Sequence, residues 1–234
     1  MTVTTKTVEY AQAGQTYEGY LAMPSTPPKA VIVVAHAWGG LSDFEREKAE
    51  MLAGWGYAAF AMDVYGKGNR GTTPEENEAL MTPLATNRAE LQSRLANSLN
   101  VAKAESGASR AAAIGFCFGG MAVLDMARTN MAIEGAASFH GLFTAPGNTA
   151  ETIKPKVLAL HGYDDPMAKP EDMIALTTEM TKADADWQVH AYGGTSHAFT
   201  NPAAQFPDMG MQFSETANRR SFAACKDFLE ELLG

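Results

Sequence analysis

Short apolar segments alternate with longer segments of helical periodicity, and this alternation constrains the fold more than any other feature of the chain. The run Val31–Val34 is continuous and β-branched, as in strands that are buried on both faces of a sheet. Strands that alternate with helices pair mostly in parallel, so the sequence predicts an α/β fold with helices on both faces of the sheet. The expected strands are Val3–Glu9, Thr16–Ala22, Ala30–Ala35, Tyr57–Met62, Ala111–Gly115, Gly135–Phe139, Val157–His161 and Gln188–Tyr192.

The helical segments carry apolar residues at three- and four-residue spacing. The first two strands alternate polar and apolar residues, which is typical of an antiparallel sheet edge. Asp43 is a candidate N-cap for the first helix. The expected helices are Asp43–Gly54, Pro83–Glu105, Met121–Ala127, Pro170–Ala183 and a last helix from about Phe213 to Leu233.

Length and composition favour a single folded domain over residues 1–234. The chain is 46% hydrophobic and 19% charged, which allows a sizeable core. A formal net charge of −9 argues against general affinity for nucleic acid or anionic membranes. The longest apolar run, Ala30–Ala37, has the length of a strand and is too short to span a membrane.

The two cysteines, Cys117 and Cys225, do not make a disulfide framework and are typical of a reducing compartment. The N-terminal residues contain no apolar stretch of the kind found in signal peptides. We therefore expect a cytoplasmic protein. Metal-site spacings and glycine-rich nucleotide motifs after a strand are also missing from the sequence, so neither a metal nor a cofactor is predicted.

The segment Ala111–Gly120 carries the sharpest functional signal. An apolar strand runs into Gly-Phe-Cys-Phe-Gly-Gly, and an apolar helix follows. This is the nucleophile-elbow pattern with Cys117 where serine is usual. The strained turn excludes bulky side chains on either side, and the helix dipole favours negative charge at this position. The alternative is a small, inert, buried cysteine in a glycine-rich turn.

Two segments after later strands supply a candidate base and acid. His197 lies in a small-residue loop after the last strand, where it could activate the thiol; alternatively, it is a capping or surface residue. Asp164 and Asp165 follow the seventh strand, and one of them could orient the histidine while the other forms a turn before Pro166. The chain order Cys, Asp, His is that of α/β-hydrolases.

Backbone groups near the ends of two strands could stabilise an oxyanion. The turn 36–40 contains two glycines that expose N–H groups, and Phe118 follows the candidate nucleophile. An ordinary strand-to-helix turn is the alternative for residues 36–40. His140 and His161 end strands and either line the site or satisfy buried carbonyls. His190 and Cys225 are expected to be structural.

Taken together, these positions resemble the dienelactone hydrolase family of the α/β-hydrolase superfamily, from about Tyr17 to the last helix. The resemblance implies an eight-stranded sheet without a lid domain. It also implies that Cys117 is the nucleophile, His197 the base and Asp165 its orienting acid, with the backbone of Trp38 and Phe118 forming the oxyanion hole.

Two positions depart from the family pattern. Ala37 stands where dienelactone hydrolases carry a glutamate that interacts with the nucleophile. Asn201 stands where the family has an arginine that holds the substrate carboxylate. The resemblance therefore predicts a hydrolase that cleaves a small-molecule ester or lactone through an acyl-cysteine intermediate, with a weak preference for carboxylate-bearing lactones. A non-catalytic binding protein and a thiol redox sensor based on Cys117 are the alternatives.

Overall fold

The computed structural model describes residues 2–234 and confirms the predicted α/β class. Eight strands form one mostly parallel sheet in the order β1-β2-β4-β3-β5-β6-β7-β8. The strands are β1 (Val3–Gln12), β2 (Gln15–Pro24), β3 (Val31–Ala35), β4 (Ala58–Met62), β5 (Ala111–Phe116), β6 (Gly135–Phe139), β7 (Lys156–Gly162) and β8 (Trp187–Tyr192). All eight predicted strands are found; β6 has the predicted bounds, and the ends of the other strands differ from the expectation by at most three residues.

The chain divides into two compact units, of which the first ends at Ile114. In this unit β1 and β2 pair antiparallel over their whole length, as their alternating pattern predicted. Strand β3 pairs parallel to β4, and both strands are completely buried. The helices of this unit are α1 (Asp43–Gly54), α2 (Pro74–Thr86) and α3 (Arg88–Ser106).

Two helical details of the first unit differ from the sequence prediction. The single helix expected over Pro83–Glu105 is wrong, because α2 ends at Thr86 and Asn87 caps α3 by accepting a hydrogen bond from the N–H of Glu90. The sequence signal was misleading because Pro83 lies inside α2 and does not begin a helix. The N-cap of α1 is Ser42, which forms a capping box with Glu45, so Asp43 is the first helical residue.

The second unit runs from Gly115 to Gly234. Strands β6, β7 and β8 pair in parallel, and residues 140–155 between β6 and β7 contain no helix or strand. The remaining elements are α4 (Phe118–Arg128), α5 (Pro170–Lys182), the two-residue strands β9 (Gln205–Phe206) and β10 (Met211–Gln212) with a 3₁₀ turn at Pro207–Met209 between them, and α6 (Glu215–Leu233). Among the described helices, none is long and apolar enough to cross a membrane.

A fully buried arginine ties together three segments of the second unit. Arg128, at the end of α4, donates to the carbonyl of Phe143 at 2.8 Å and to the carboxylate of Glu179 on α5 at 2.7 Å. Asp125, one turn earlier on α4, lies 3.6 Å from the same guanidinium and is also buried. Buried charges persist when they are paired and hydrogen-bonded. This network fixes the far end of the helix that follows Cys117.

Candidate active site

Cys117 lies in a strained turn between β5 and α4. It is the N-cap of α4 and has φ of 56° and ψ of −116°, a backbone conformation that non-glycine residues rarely adopt. A Cβ on Gly115 would lie 2.1 Å from the carbonyl oxygen of Gly119, so the closeness of the turn requires glycine at position 115. The nucleophile-elbow pattern in the sequence thus corresponds to a strand–turn–helix of the expected shape.

The glycines of the elbow also let α4 approach β6. A Cβ on Gly120 would come within 2.7 Å of both the Cα of Gly141 and the Oγ of Ser138. The N–H of Cys117 donates to the carbonyl of Phe139 at 3.0 Å and to Nδ1 of His140 at 3.2 Å. The elbow is therefore held by the end of β6, while the Cys117 side chain remains partly exposed.

His197 and Asp165 are in direct contact. Nδ1 of His197 lies 2.7 Å from Oδ2 of Asp165, and both side chains are buried. The other carboxylate oxygen accepts a hydrogen bond from the N–H of Met167 at 2.8 Å. Asp164, in contrast, is exposed and its backbone N–H donates to Thr195. Of the two candidate aspartates, the structure brings Asp165 to the histidine.

The loop that carries His197 is held on both sides by backbone hydrogen bonds. The N–H of His197 donates to the carbonyl of Gly210 at 2.9 Å, and its carbonyl accepts from the N–H of Gln212 at 3.1 Å. These contacts come from the 3₁₀ turn and β10, so the short β9–β10 hairpin serves to fix the histidine. With its backbone and Nδ1 both held, the imidazole ring has a defined orientation.

The electrostatics of His197 link it to Cys117. Burial by itself would lower the pKa of His197, but the charge of Cys117 and the hydrogen bond with Asp165 outweigh burial and raise the pKa to about 10. Nε2 of His197 makes no hydrogen bond of ordinary geometry with a described residue. A hydrogen bond to the Cys117 side chain nevertheless contributes to the raised pKa of His197, and buried groups with shifted pKa values are typical of functional sites.

Two further buried histidines lie in the same unit. His140 uses both ring nitrogens, since Nε2 lies 2.8 Å from Oγ1 of Thr200 and Nδ1 accepts from Cys117. Burial, together with the charge of His197, holds the pKa of His140 well below its usual value. His161 is completely buried beside Phe143, and burial lowers its pKa as well. The sequence placed both histidines at strand ends, but it did not reveal the contact between His140 and the elbow.

The two predicted oxyanion donors lie in different units. Phe118 is the first residue of α4, and N–H groups in the first turn of a helix point out of its N-terminal end. Trp38 lies in the turn after β3, where its carbonyl accepts a hydrogen bond from the hydroxyl of Tyr65 at 3.0 Å. The role of both residues in binding an oxyanion remains a prediction.

Cys225 lies in the core stripe of α6, is completely buried, and carries a free thiol, as does Cys117. Burial raises the pKa of Cys225 to about 12, so this thiol is a poor nucleophile. Within residues 2–234, no cluster of three or more His, Cys, Asp or Glu side chains could hold a metal ion.

Comparison with known proteins identifies the family of the chain. The model of the dienelactone hydrolase family matches residues 17–233. The chain belongs to the dienelactone hydrolase family. It is 28% identical to Protein usf of Aquifex pyrophilus over 200 residues, which are 83% of this chain and 86% of that protein. It is 24% identical to a carboxymethylenebutenolidase homolog of Xenopus tropicalis over 204 residues, covering 83% of this chain and 82% of the homolog.

A solved structure extends the likeness to the whole fold. A dienelactone hydrolase-like promiscuous phosphotriesterase from metagenomic libraries is 32% identical, with a TM-score of 0.93 and 99% of each chain covered. The family resemblance predicted from the elbow and its neighbours is thus confirmed. Membership of this family supports a hydrolase or esterase role.

Proposed function

We propose that the protein hydrolyses small-molecule carboxylic esters or lactones, with Cys117 as nucleophile, His197 as acid–base and Asp165 as the group that orients His197. The observation that carries the proposal is the contact between Asp165 and Nδ1 of His197. Nε2 of His197 is then available to transfer a proton, and the charge of Cys117 acts on the same ring. The arrangement is that of a nucleophile, a base and an orienting acid on an α/β-hydrolase fold.

In the first half-reaction the Cys117 thiolate attacks the substrate carbonyl carbon and forms a C–S bond. The carbonyl electron pair moves to oxygen, and the N–H groups of Phe118 and Trp38 are the proposed donors to that oxyanion. When the tetrahedral intermediate collapses, the C–O bond to the alcohol breaks. His197 gives its Nε2 proton to the leaving alkoxide, and Asp165 holds the ring in the tautomer and orientation that this transfer needs.

In the second half-reaction His197, now neutral, takes a proton from water. The hydroxide adds to the acyl-cysteine carbonyl, and the second tetrahedral intermediate expels the thiolate and releases the acid. The raised pKa of His197 keeps its ring protonated, so that Nε2 can supply the proton that the first half-reaction gives to the leaving alkoxide. The alcohol and the acid together account for the substrate and one water.

Exposed apolar side chains support a neutral substrate. Among the described residues, the large exposed hydrophobic side chains all lie in the second unit: Tyr163, Met167, Ile174, Phe206 and Met209. Tyr163 and Met167 flank Asp165 in sequence. The 3₁₀ turn that contains Met209 is brought beside them, because Gly210 packs against Pro166. Apolar surface at this position suits an uncharged acyl or alkoxy group, in keeping with Ala37 and Asn201.

Phosphotriester hydrolysis is a second candidate activity. The phosphotriesterase structure is 32% identical over nearly the whole chain, and its printed name describes that activity as promiscuous. Attack of the same thiolate on phosphorus would displace an aryl or alkyl oxide and leave an S-phosphoryl enzyme. Hydrolysis of that intermediate would restore Cys117, as in the ester reaction.

The proposed function is tested by replacing the nucleophile. Cys117→Ala is expected to lower kcat for p-nitrophenyl esters by about 10³-fold or more, since removal of a nucleophile leaves only binding and oxyanion stabilisation. Cys225→Ala is the matched control and should keep kcat, because this thiol is buried in α6. Burst kinetics and mass spectrometry of the acylated Cys117 peptide complete the measurement. Undiminished turnover by Cys117→Ala would exclude the cysteine mechanism, whereas failure of the parent to react with any activated ester would favour the binding protein.

Substrate charge is tested by competition between neutral and carboxylate-bearing substrates of equal size. We expect kcat/KM for a dienelactone to exceed that for a matched neutral lactone by well under about tenfold, because Asn201 supplies no cationic group. An aryl phosphotriester is added to the same panel. A dienelactone advantage of more than about tenfold, well over 1 kcal/mol, would show that another residue binds the carboxylate.

A further inference from the structure

His140 contacts both the turn that carries Cys117 and the loop that carries His197. Its Nδ1 accepts a hydrogen bond from the N–H of Cys117 at 3.2 Å, and its Nε2 lies 2.8 Å from Oγ1 of Thr200. Thr200 is buried and follows His197 by three residues on the same loop. The imidazole of His140 therefore connects the backbone of the nucleophile to the segment that carries the base.

The two hydrogen bonds determine the state of the ring. A neutral imidazole has one donor and one acceptor nitrogen. Since Nδ1 accepts from a backbone N–H, the proton is on Nε2, which donates to Thr200. A protonated ring would present a donor to the Cys117 N–H and lose that bond. Burial and the charge of His197 both disfavour protonation and lower the pKa of His140.

The ring also packs directly against the base. The centroids of His140 and His197 are 5.1 Å apart in an edge-on arrangement, and Phe199 packs edge-on against His140 at 5.2 Å. The backbone of His140 is fixed in turn, because its N–H donates to the carbonyl of Leu160 on β7 at 2.8 Å. The ring is thus a rigid support between the elbow and the His197 loop.

We propose that His140 is a positioning residue, which sets the geometry between Cys117 and His197 through its hydrogen bonds to the Cys117 N–H and to Thr200. The inference rests on the proposed function of Cys117 as nucleophile. A displacement of about 1 Å at a reacting group costs on the order of 100-fold in rate, so loss of this support should appear in kcat more than in KM.

The test uses three variants that divide the contacts of His140. His140→Phe keeps a ring and removes both hydrogen bonds. His140→Asn places an amide oxygen near the former Nδ1 and tolerates the φ of 38° at this position. Thr200→Val keeps the shape of the threonine and removes only the second bond. His190→Asn, on half-buried β8, is the matched control for a histidine-to-asparagine change.

Two measurements are made on each variant after circular dichroism has shown that it is folded. The first is kcat and KM for a p-nitrophenyl ester. The second is the pH dependence of Cys117 alkylation by iodoacetamide, followed on the Cys117 peptide by mass spectrometry. His140 and His197 are the titratable groups that interact with Cys117, while Asp165 and His161 act on these two histidines. The alkylation midpoint therefore reports the contact between thiol and base without any need for ester turnover.

We expect His140→Phe to lose about 10- to 100-fold in kcat with little change in KM, and to shift the alkylation midpoint to higher pH. Thr200→Val should show a smaller change in the same direction. His140→Asn should recover most of the loss, and His190→Asn should match the parent. If His140→Phe does not fold, Thr200→Val decides the question.

Parental kcat and an unshifted alkylation midpoint in folded His140→Phe and Thr200→Val would overturn the proposal. Failure of the proposed function has a different signature, namely ester turnover that survives in Cys117→Ala. In that case a shifted midpoint would still show that His140 positions the thiol, and an unshifted one would still show that it does not.

Discussion

Each of the two units contains a buried aspartate just after a strand, Asp63 in the first and Asp165 in the second. In both, one carboxylate oxygen holds a turn, whereas the other oxygen has a different kind of partner. After β4, Oδ1 of Asp63 accepts from the N–H groups of Tyr65 and Gly66 at 2.8 and 2.9 Å. After β7, Oδ1 of Asp165 accepts from the N–H of Met167 at 2.8 Å. In each unit, the first oxygen holds a tight turn at the end of the strand.

The partner of the second oxygen, Oδ2, differs between Asp63 and Asp165. Oδ2 of Asp63 accepts from the backbone N–H of Glu18 on β2 at 3.2 Å, so within residues 2–234 the hydrogen bonds of this carboxylate are with backbone N–H groups. Oδ2 of Asp165 contacts Nδ1 of His197, whose other nitrogen has no hydrogen bond of ordinary geometry. Burial of a carboxylate after a strand is therefore not the mark of a functional acid. What distinguishes Asp165 is that its Oδ2 orients the ring of His197, whose Nε2 is the proposed reactive nitrogen.

Among the variants that test this difference between Asp63 and Asp165, Asp165→Asn is expected to have the largest effect. The amide oxygen can keep the bond to the Met167 N–H, but the amide NH₂ would face Nδ1 of His197 and favour the wrong tautomer of the ring. We expect kcat for a neutral ester to fall by about 10² to 10⁴-fold, with the fold retained. Steady-state kinetics and circular dichroism give the two quantities.

Asp164→Asn is the control for this change, because Asp164 is adjacent in sequence but exposed. It should stay within about twofold of the parent. If Asp164→Asn were the damaged variant, the acid would be assigned to the wrong residue. If neither variant lost activity, His197 would act without an aspartate.

Asp63→Asn is expected to have the second-largest effect, which is on stability. Its amide NH₂ would face the N–H of Glu18 and leave a buried donor without a partner, so we expect the free energy of unfolding to fall by about 1–3 kcal/mol. Ester turnover at a permissive temperature should be nearly parental. Urea unfolding and kcat, measured on the same preparation, test both halves of the expectation. A large loss of kcat without loss of stability would show that Asp63 has a functional role and would remove the contrast.

Much of the fold was predictable because its signals are local. The apolar runs at Val31–Val34 and Ala111–Gly115 identify buried strands, and the alternation in β1 and β2 identifies the antiparallel edge. The break at Asn87 was not predictable from apolar spacing, since α2 and α3 carry compatible patterns on either side of it. There the side-chain cap of Asn87 determined the boundary, and a single asparagine, although favoured at N-caps, does not by itself interrupt the apolar spacing on either side.

The candidate site was predictable in part for the same reason. The elbow at Cys117 follows from a short motif, and the resemblance to the dienelactone hydrolase family selects Asp165 from the two candidate aspartates. The role of His140 could not be seen, because its partners are a backbone N–H 23 residues earlier and a threonine 60 residues later. Such contacts depend on how β6 and the His197 loop pack, and no sequence pattern carries that information.

The smallest effect in the series is the part of the pH dependence of stability that Asp165 contributes, because the charge of Cys117 is the larger cause of the raised pKa of His197. The pKa of His197 is raised to about 10 in the folded protein, against roughly 6.5 in an unfolded chain. A raised folded-state pKa gives a stabilising contribution that is fully present below about pH 6.5 and is lost as the pH rises through about 10. The carboxylate oxygens of Asp63 accept from backbone amides, and its charge acts on Tyr10 and Tyr17, whose pKa values burial raises above 10.

Urea unfolding at pH 6, 8 and 10 therefore distinguishes the two aspartates a second time. The parent should lose stability on going from pH 6 to pH 10, and Asp165→Asn should lose less, because removal of the carboxylate brings the folded pKa of His197 closer to its unfolded value. Asp63→Asn should be less stable at every pH but should keep the parental slope. Equal slopes in the parent and in Asp165→Asn would mean that the carboxylate does not hold the proton on His197, and the distinction between the two turns would then rest on kinetics alone.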